Sequence, residues 1–169
     1  MRRREVITLL GGAAAVAWPL DARAQQPAKI ARIGFLRFGS ADTSAGRVEA
    51  LRAGLRDLGY VEGRNIVIDF RWTERIERLS ALAAELVGLK VDVIFAPSST
   101  ETEAARLATS TIPIIFAIHA DPVGLGHVES LPWPGGNVTG LTVVQTDLTA
   151  KAMEILKETV PHSTRLGVL

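Results

Sequence analysis

The chain has 169 residues, 47% of them hydrophobic, and a formal net charge of +1. That is enough apolar material for one globular core and too little net charge to hold a polyanion, so no nucleic-acid partner is expected. The absence of cysteine excludes disulfides, a thiolate nucleophile and thiolate metal sites, and none of the three histidines (His119, His127, His162) stands four residues from another, as a helical zinc site requires.

The first element is an address. Arg2, Arg3 and Arg4 precede an apolar run from Val6 to Leu20, and Ala22-Arg23-Ala24 follows it. A basic stretch, a short apolar stretch and a small-x-small site are the parts of a secretory signal. The run falls short of the about 20 apolar residues a membrane-spanning helix needs. Arg3-Arg4-Glu5-Val6-Ile7 also resembles the twin-arginine export motif, with Val6 in place of its aromatic residue. We therefore expect a signal peptide over 1–24, a loose leader over 25–28 and a periplasmic location.

The mature chain alternates strand and helix patterns. A first strand is expected over Lys29–Arg37, with Asp42, Thr43 and Ser44 as cap candidates for a helix whose apolar stripe is Val48, Leu51, Leu55 and Leu58. Gly59 stops that helix as a left-handed cap. Ile66–Trp72 alternates apolar and polar residues, the pattern of an edge strand. Ile76, Leu79, Leu82, Ala83 and Leu86 form the next stripe, closed by Gly88. Val91-Asp92-Val93-Ile94-Phe95 is a short β-branched run of the kind buried on both faces of a parallel sheet. Ala96-Pro97 ends it, and Ser98, Ser99 and Thr100 open a helix, Ser98 with Glu101 and Thr100 with Glu103 at capping-box spacing. A fourth strand covers Ile114–Ile118, and Val138–Val144 forms a fifth. Asp147 caps a last helix with Leu148, Ala152, Ile155, Leu156 and Val160 inward, and Arg165–Leu169 begins another strand. Such alternation predicts an α/β fold, a three-layer sandwich with a parallel sheet and right-handed crossovers.

In an open α/β sheet, ligands bind outside the carboxyl ends of the strands. That edge carries Ser98, Ser99 and Thr100 at a helix N-terminus, whose N–H groups and partial positive charge favour anions. It also carries His119-Ala120-Asp121-Pro122-Val123-Gly124 after the fourth strand. No glycine triplet for a dinucleotide, no phosphate loop and no Gly-x-Ser-x-Gly elbow occurs. Asp121 with His119 and His127 is too weak a signal to assign a metal. What remains is a set of hydroxyls, one carboxylate and turn amides with no evident nucleophile–base pair. This suits binding of a small polar solute without catalysis or cofactor.

Four stretches carry a resemblance: the signal Arg2-Arg3-Arg4-Glu5-Val6-Ile7-Thr8-Leu9-Leu10-Gly11-Gly12; Gly54–Asn65; Ile112–Gly124; and Pro134-Gly135-Gly136-Asn137-Val138-Thr139-Gly140-Leu141. In this order they resemble the substrate-binding proteins of ABC transporters, in the branch that includes tryptophan-type binders. The resemblance implies the N-terminal lobe of a periplasmic-binding-protein fold of class I over 29–163, with 164–169 opening a second lobe that is not present. It implies an extracytoplasmic component that delivers a small solute, amino-acid-like or related, to an ABC permease in the inner membrane. It places ligand contacts at Ser40, Ser98, Ser99, Thr100 and Asp121. Asp121 would face an ammonium, while the hydroxyls and helix N-terminus would hold a carboxylate or carbonyl. Ala120 stands where the family usually has glycine, and Leu131-Pro132-Trp133-Pro134 replaces a more usual Leu-Ala-Arg-Pro. The competing readings are a sensor or interaction lobe without transport, and an enzyme on a flavodoxin-like or Rossmann-like sheet.

Overall fold

The computed structural model describes residues 30–143, 145–162, 164 and 165, and does not extend to the side chains of Thr146 and Asp147. The expected export signal, the leader and nearly all of the strand expected from Arg165 lie outside the described residues. The expected cap at Asp147 is corrected, since the last helix already begins at Gln145 and Asp147 stands inside its first turn.

Five strands form one parallel sheet in the order β2-β1-β3-β4-β5. They are β1 (Ala31–Phe38), β2 (Ile66–Thr73), β3 (Val93–Phe95), β4 (Ile114–His119) and β5 (Val138–Thr142). Helix α1 (Ala41–Asp57) follows β1, α2 (Leu79–Gly88) follows β2 after a 3-10 turn at Ile76–Arg78, α3 (Ser99–Ala108) follows β3, and α4 (Gln145–Thr159) follows β5. This is the expected α/β architecture of a periplasmic-binding-protein-like lobe.

The period of two along β1 explains the layers. Leu36 enters a cluster with Leu79, Leu82 and Leu86 of α2, Ala104 and Ala105 of α3, and Ile94, Ile114, Phe116 and Val138 of the sheet. Its neighbour Phe35 turns to the other face, where Val48 of α1 and Ile68 complete a second cluster with Phe70, Trp72 and Phe95 around it. Leu36, Leu86, Ile94 and Ile114 are each 0% exposed, and burial of such a side chain stabilises by about 1.5–3 kcal/mol.

Several expectations are corrected. Ser40, not Asp42, Thr43 or Ser44, is the N-cap of α1 and accepts from the Thr43 N–H. Leu58 leaves its expected stripe, because the helix ends there and Gly59 turns left-handed at φ +84°. Ile76 lies exposed in the 3-10 turn ahead of α2. The third strand is shorter than expected, and Val93 and Phe95 on its second face are only half-buried, since α1 covers that face beside β1 and β2. The same face of β4 and β5 presents Ile115 and Leu141 to solvent. The apolar residues expected inward on α4 (Leu148, Ala152, Ile155, Leu156, Val160) are all exposed. Their spacing is helical, but α4 does not lie on the sheet.

Candidate functional site

The connection from β1 runs to β2 on one side and the connection from β3 runs to β4 on the other, so the winding reverses between β1 and β3. A crevice opens at such a reversal, outside the carboxyl ends of β1 and β3. Ser40 comes two residues after β1, Ser98 to Thr100 come just after β3, and Asp121 two residues after β4. The five sequence-predicted residues therefore lie along one edge of the sheet.

Their hydrogen bonds separate them. Ser40 is engaged locally, with Thr43 Oγ1 at 3.2 Å and the Thr43 N–H. Thr100 is exposed in the first turn of α3. Ser98 is the N-cap of α3, yet its hydroxyl does not close a capping box. It donates instead to the Glu101 carboxylate. Glu101 is 0% exposed; its other oxygen accepts from the Phe38 N–H at 2.9 Å and from Arg37 Nη1 at 3.2 Å. A buried carboxylate thus clamps α3 to the end of β1.

Ser99 is tied to β4 and the loop behind it. Its Oγ accepts from the Ala120 N–H at 3.2 Å and lies 3.3 Å from His119 Nδ1. His119 Nε2 is 2.7 Å from His127 Nδ1, with the two rings perpendicular. His127 Nε2 in turn lies 2.9 Å from Glu103 Oε2, and Glu103 also pairs with Arg106. Burial pushes the pKa of both histidines below the ordinary value; for His119 the neighbouring His127 adds to this while Asp121 opposes it. The expectation of no nucleophile–base contact is corrected by the Ser99–His119 pair.

Asp121 holds its own turn. Its Oδ1 accepts from the Gly124 N–H at 2.8 Å, and a side chain at Gly124 would collide with the Asp121 carboxylate. Ala120 needs no glycine: among the described residues Lys90 is the one non-glycine with positive φ. The fold buries Ala96, Val128 and Val138 in the larger hydrophobic cluster, beside the strand ends and loops that carry these residues.

Sequence reasoning did not single out Arg37, Glu101, Glu103, His119 or His127 as a network. Glu101 had a signal: it shares the i, i+3, i+4 spacing of Ala104 and Ala105, the buried stripe of α3. The two histidines are eight residues apart, on a strand end and a loop, and no helical or strand period relates them.

A parallel sheet wound in opposite directions from β1 and β3, with helices after its strands, has the form of one lobe of a periplasmic-binding-protein-like fold. Residues 32–169 match the family of ABC transporter substrate binding proteins, and the chain belongs to that family. It is 38% identical over 117 residues to the tyrosine-binding protein of Clostridioides difficile (strain R20291), covering 68% of this chain and 33% of that protein. A conserved domain protein from Vibrio cholerae superposes with a TM-score of 0.69 at 30% identity, covering 79% of this chain and 45% of the other. The ABC domain in complex with L-Trp from Streptococcus pneumonia gives 0.61 at 30% identity, covering 66% and 38%. The chain thus spans about a third of the curated relative and under half of each matched structure.

Proposed function

We propose that this chain supplies one lobe of the extracytoplasmic solute-binding component of an ABC importer. It takes a small solute carrying both an amine and a carboxylate, and the whole protein passes the solute to a permease in the inner membrane. An aromatic amino acid fits best, because the named ligands of two similar proteins are tyrosine and L-Trp. The observation that carries the reading is Asp121. One carboxylate oxygen fixes the turn through Gly124, leaving the other to receive a cation at the sheet edge where Ser98, Ser99 and Thr100 gather. Phe38, 42% exposed at the end of β1, offers apolar surface at the same edge. The first N–H groups of α3 and the Thr100 hydroxyl are the donors for a carboxylate. The export signal over 1–24 is the route to the periplasm, and Ser40 sits at the rim as a cap that borders the solute.

The Ser99–His119 contact favours a second reading, a serine hydrolase. Against it, the second nitrogen of His119 meets a neutral ring where a triad has a carboxylate, and the imidazolium formed in catalysis would be fully enclosed. Titration of the labelled chain with L-tryptophan and L-tyrosine, followed by amide chemical shifts, tests the main reading. Saturable shifts at residues 98–101 and 119–124 are expected. Hydrolysis of p-nitrophenyl acetate that Ser99→Ala abolishes would favour the second reading instead.

A further inference from the structure

The hydrogen bonds behind Ser99 have a direction. Glu103 is a carboxylate paired with Arg106, so it accepts only, and His127 Nε2 must carry the hydrogen between them. A neutral His127 then has a bare Nδ1. The 2.7 Å contact to it needs a donor, so His119 carries its hydrogen on Nε2. His119 Nδ1 is therefore bare as well, which agrees with the Asp121 N–H donating to it at 3.2 Å. The Ser99 hydroxyl, 3.3 Å away, turns its only hydrogen to the same lone pair, which it shares with the Asp121 N–H in a three-centre bond. Ser99 Oγ meanwhile accepts from the Ala120 N–H. One lone pair is left on that oxygen and nothing to donate.

We propose that His119 and His127 are positioning residues that fix the Ser99 hydroxyl as a hydrogen-bond acceptor toward the crevice, so that this point receives an N–H of the solute and not its carboxylate. This rests on the solute-binding reading and deepens it. It also revises the expectation that the three hydroxyls hold a carboxylate. Ser98 has likewise given its hydrogen away, to Glu101, and only Thr100 keeps a hydroxyl to donate. Ser99 and Asp121 then form the cation pole of the site, and Thr100 with the amides of α3 the anion pole.

The relay can be measured without any solute. Long-range 1H–15N spectra of the histidine rings at pH 7.5 are expected to show both His119 and His127 as the neutral Nε2–H tautomer. A Nδ1–H tautomer or a charged ring at either position overturns the relay. Glu103→Gln, at a partly exposed position, removes the obligate acceptor, and His127 is expected to become a mixture of tautomers. An unchanged His127 would show that Glu103 does not set the direction.

The solute half is tested with L-tryptophan and its des-amino analogue indole-3-propionate. Wild type should bind the amino acid at least tenfold more tightly, and Ser99→Ala should reduce that preference several-fold while leaving affinity for the analogue within twofold. Equal losses for both compounds would overturn the acceptor role. If wild type binds neither compound, the solute-binding reading falls together with this half, and the tautomer measurement still decides the relay alone.

Discussion

The Glu101 carboxylate accepts from the main-chain N–H of Phe38 at 2.9 Å, and so joins the first turn of α3 to the last residue of β1. The same oxygen meets Arg37, whose side chain is 16% exposed while that of Glu101 is 0% exposed. Removing one partner of a buried pair leaves the other uncompensated, and that loss exceeds the worth of the pair itself. Glu101→Ala should therefore destabilise the chain by about 3 kcal/mol. Glu101→Gln keeps an acceptor for the Phe38 N–H and should cost about 1–2 kcal/mol. Urea unfolding followed by far-UV circular dichroism measures both. A Glu101→Ala loss below about 1 kcal/mol would show that the clamp is dispensable.

Gly140 is fixed by its neighbour on β4. Its φ is +154°, and a Cβ there would collide with the carbonyl oxygen of Phe116, where the β4–β5 register shifts between Phe116 and His119. The obstacle is main chain and cannot rotate away. Gly140→Ala should cost about 3 kcal/mol or more and detach the end of β5. Loss of amide-exchange protection at residues 138–142, with protection in β1 and β3 retained, is the expected pattern.

How much of this was legible depends on whether a residue's partner lies within one period of it. The strands were legible because runs such as Val93-Ile94-Phe95 and Ile114-Ile115-Phe116 are β-branched and apolar, although one face of each is less buried than the runs imply. Their carboxyl ends located Ser40, Ser98 to Thr100 and Asp121 on one edge. The direction of each hydroxyl was not legible. Ser98 and Glu101 have the spacing of a capping box, and only the fold brings Phe38 and Arg37 close enough to draw Glu101 away. The apolar spacing of Leu148, Ile155 and Leu156 gave the helix α4 correctly and its burial wrongly, since a period names a face and not what covers it.

Asp121 divides its two oxygens between turn and solute. Asp121→Asn can still accept from Gly124 through its carbonyl oxygen, so the turn should survive and the melting temperature should move by no more than a few degrees. The charge is lost, and a hydrogen bond to a charged group is worth about 1.5–3 kcal/mol. Affinity for L-tryptophan should fall by about tenfold or more, while affinity for indole-3-propionate should not fall. Gly124→Ala is the companion variant: a side chain there displaces the carboxylate and should weaken amino-acid binding in the same way. Paired NMR titrations decide, and equal weakening of both compounds by Asp121→Asn would remove Asp121 from the cation pole.

The buried histidines make stability depend on pH. His119 is 0% and His127 9% exposed, and desolvation is the largest cause of the downward pKa shift at each. At His119 the facing groups are His127, which lowers the pKa further, and Asp121, which raises it. At His127 Glu103 opposes the shift and Arg106 reinforces it. In both cases the folded value lies below the unfolded value of 6.5. The unfolded chain thus takes up protons first as pH falls. The contribution of neutral, hydrogen-bonded rings is complete above the unfolded value and is lost as pH drops below it. The steepest loss these two groups can cause is about 1.4 kcal/mol per pH unit for each. Urea midpoints from pH 8 to pH 5 should be flat at first and then fall. His119→Phe should flatten the fall, because it removes one titrating ring and the acceptor of Ser99 while filling the space against Phe116. A wild-type midpoint that rises on acidification across this window would mean that the rings are stabilised in their charged form, and the directed relay from Ser99 to Glu103 would fall with it.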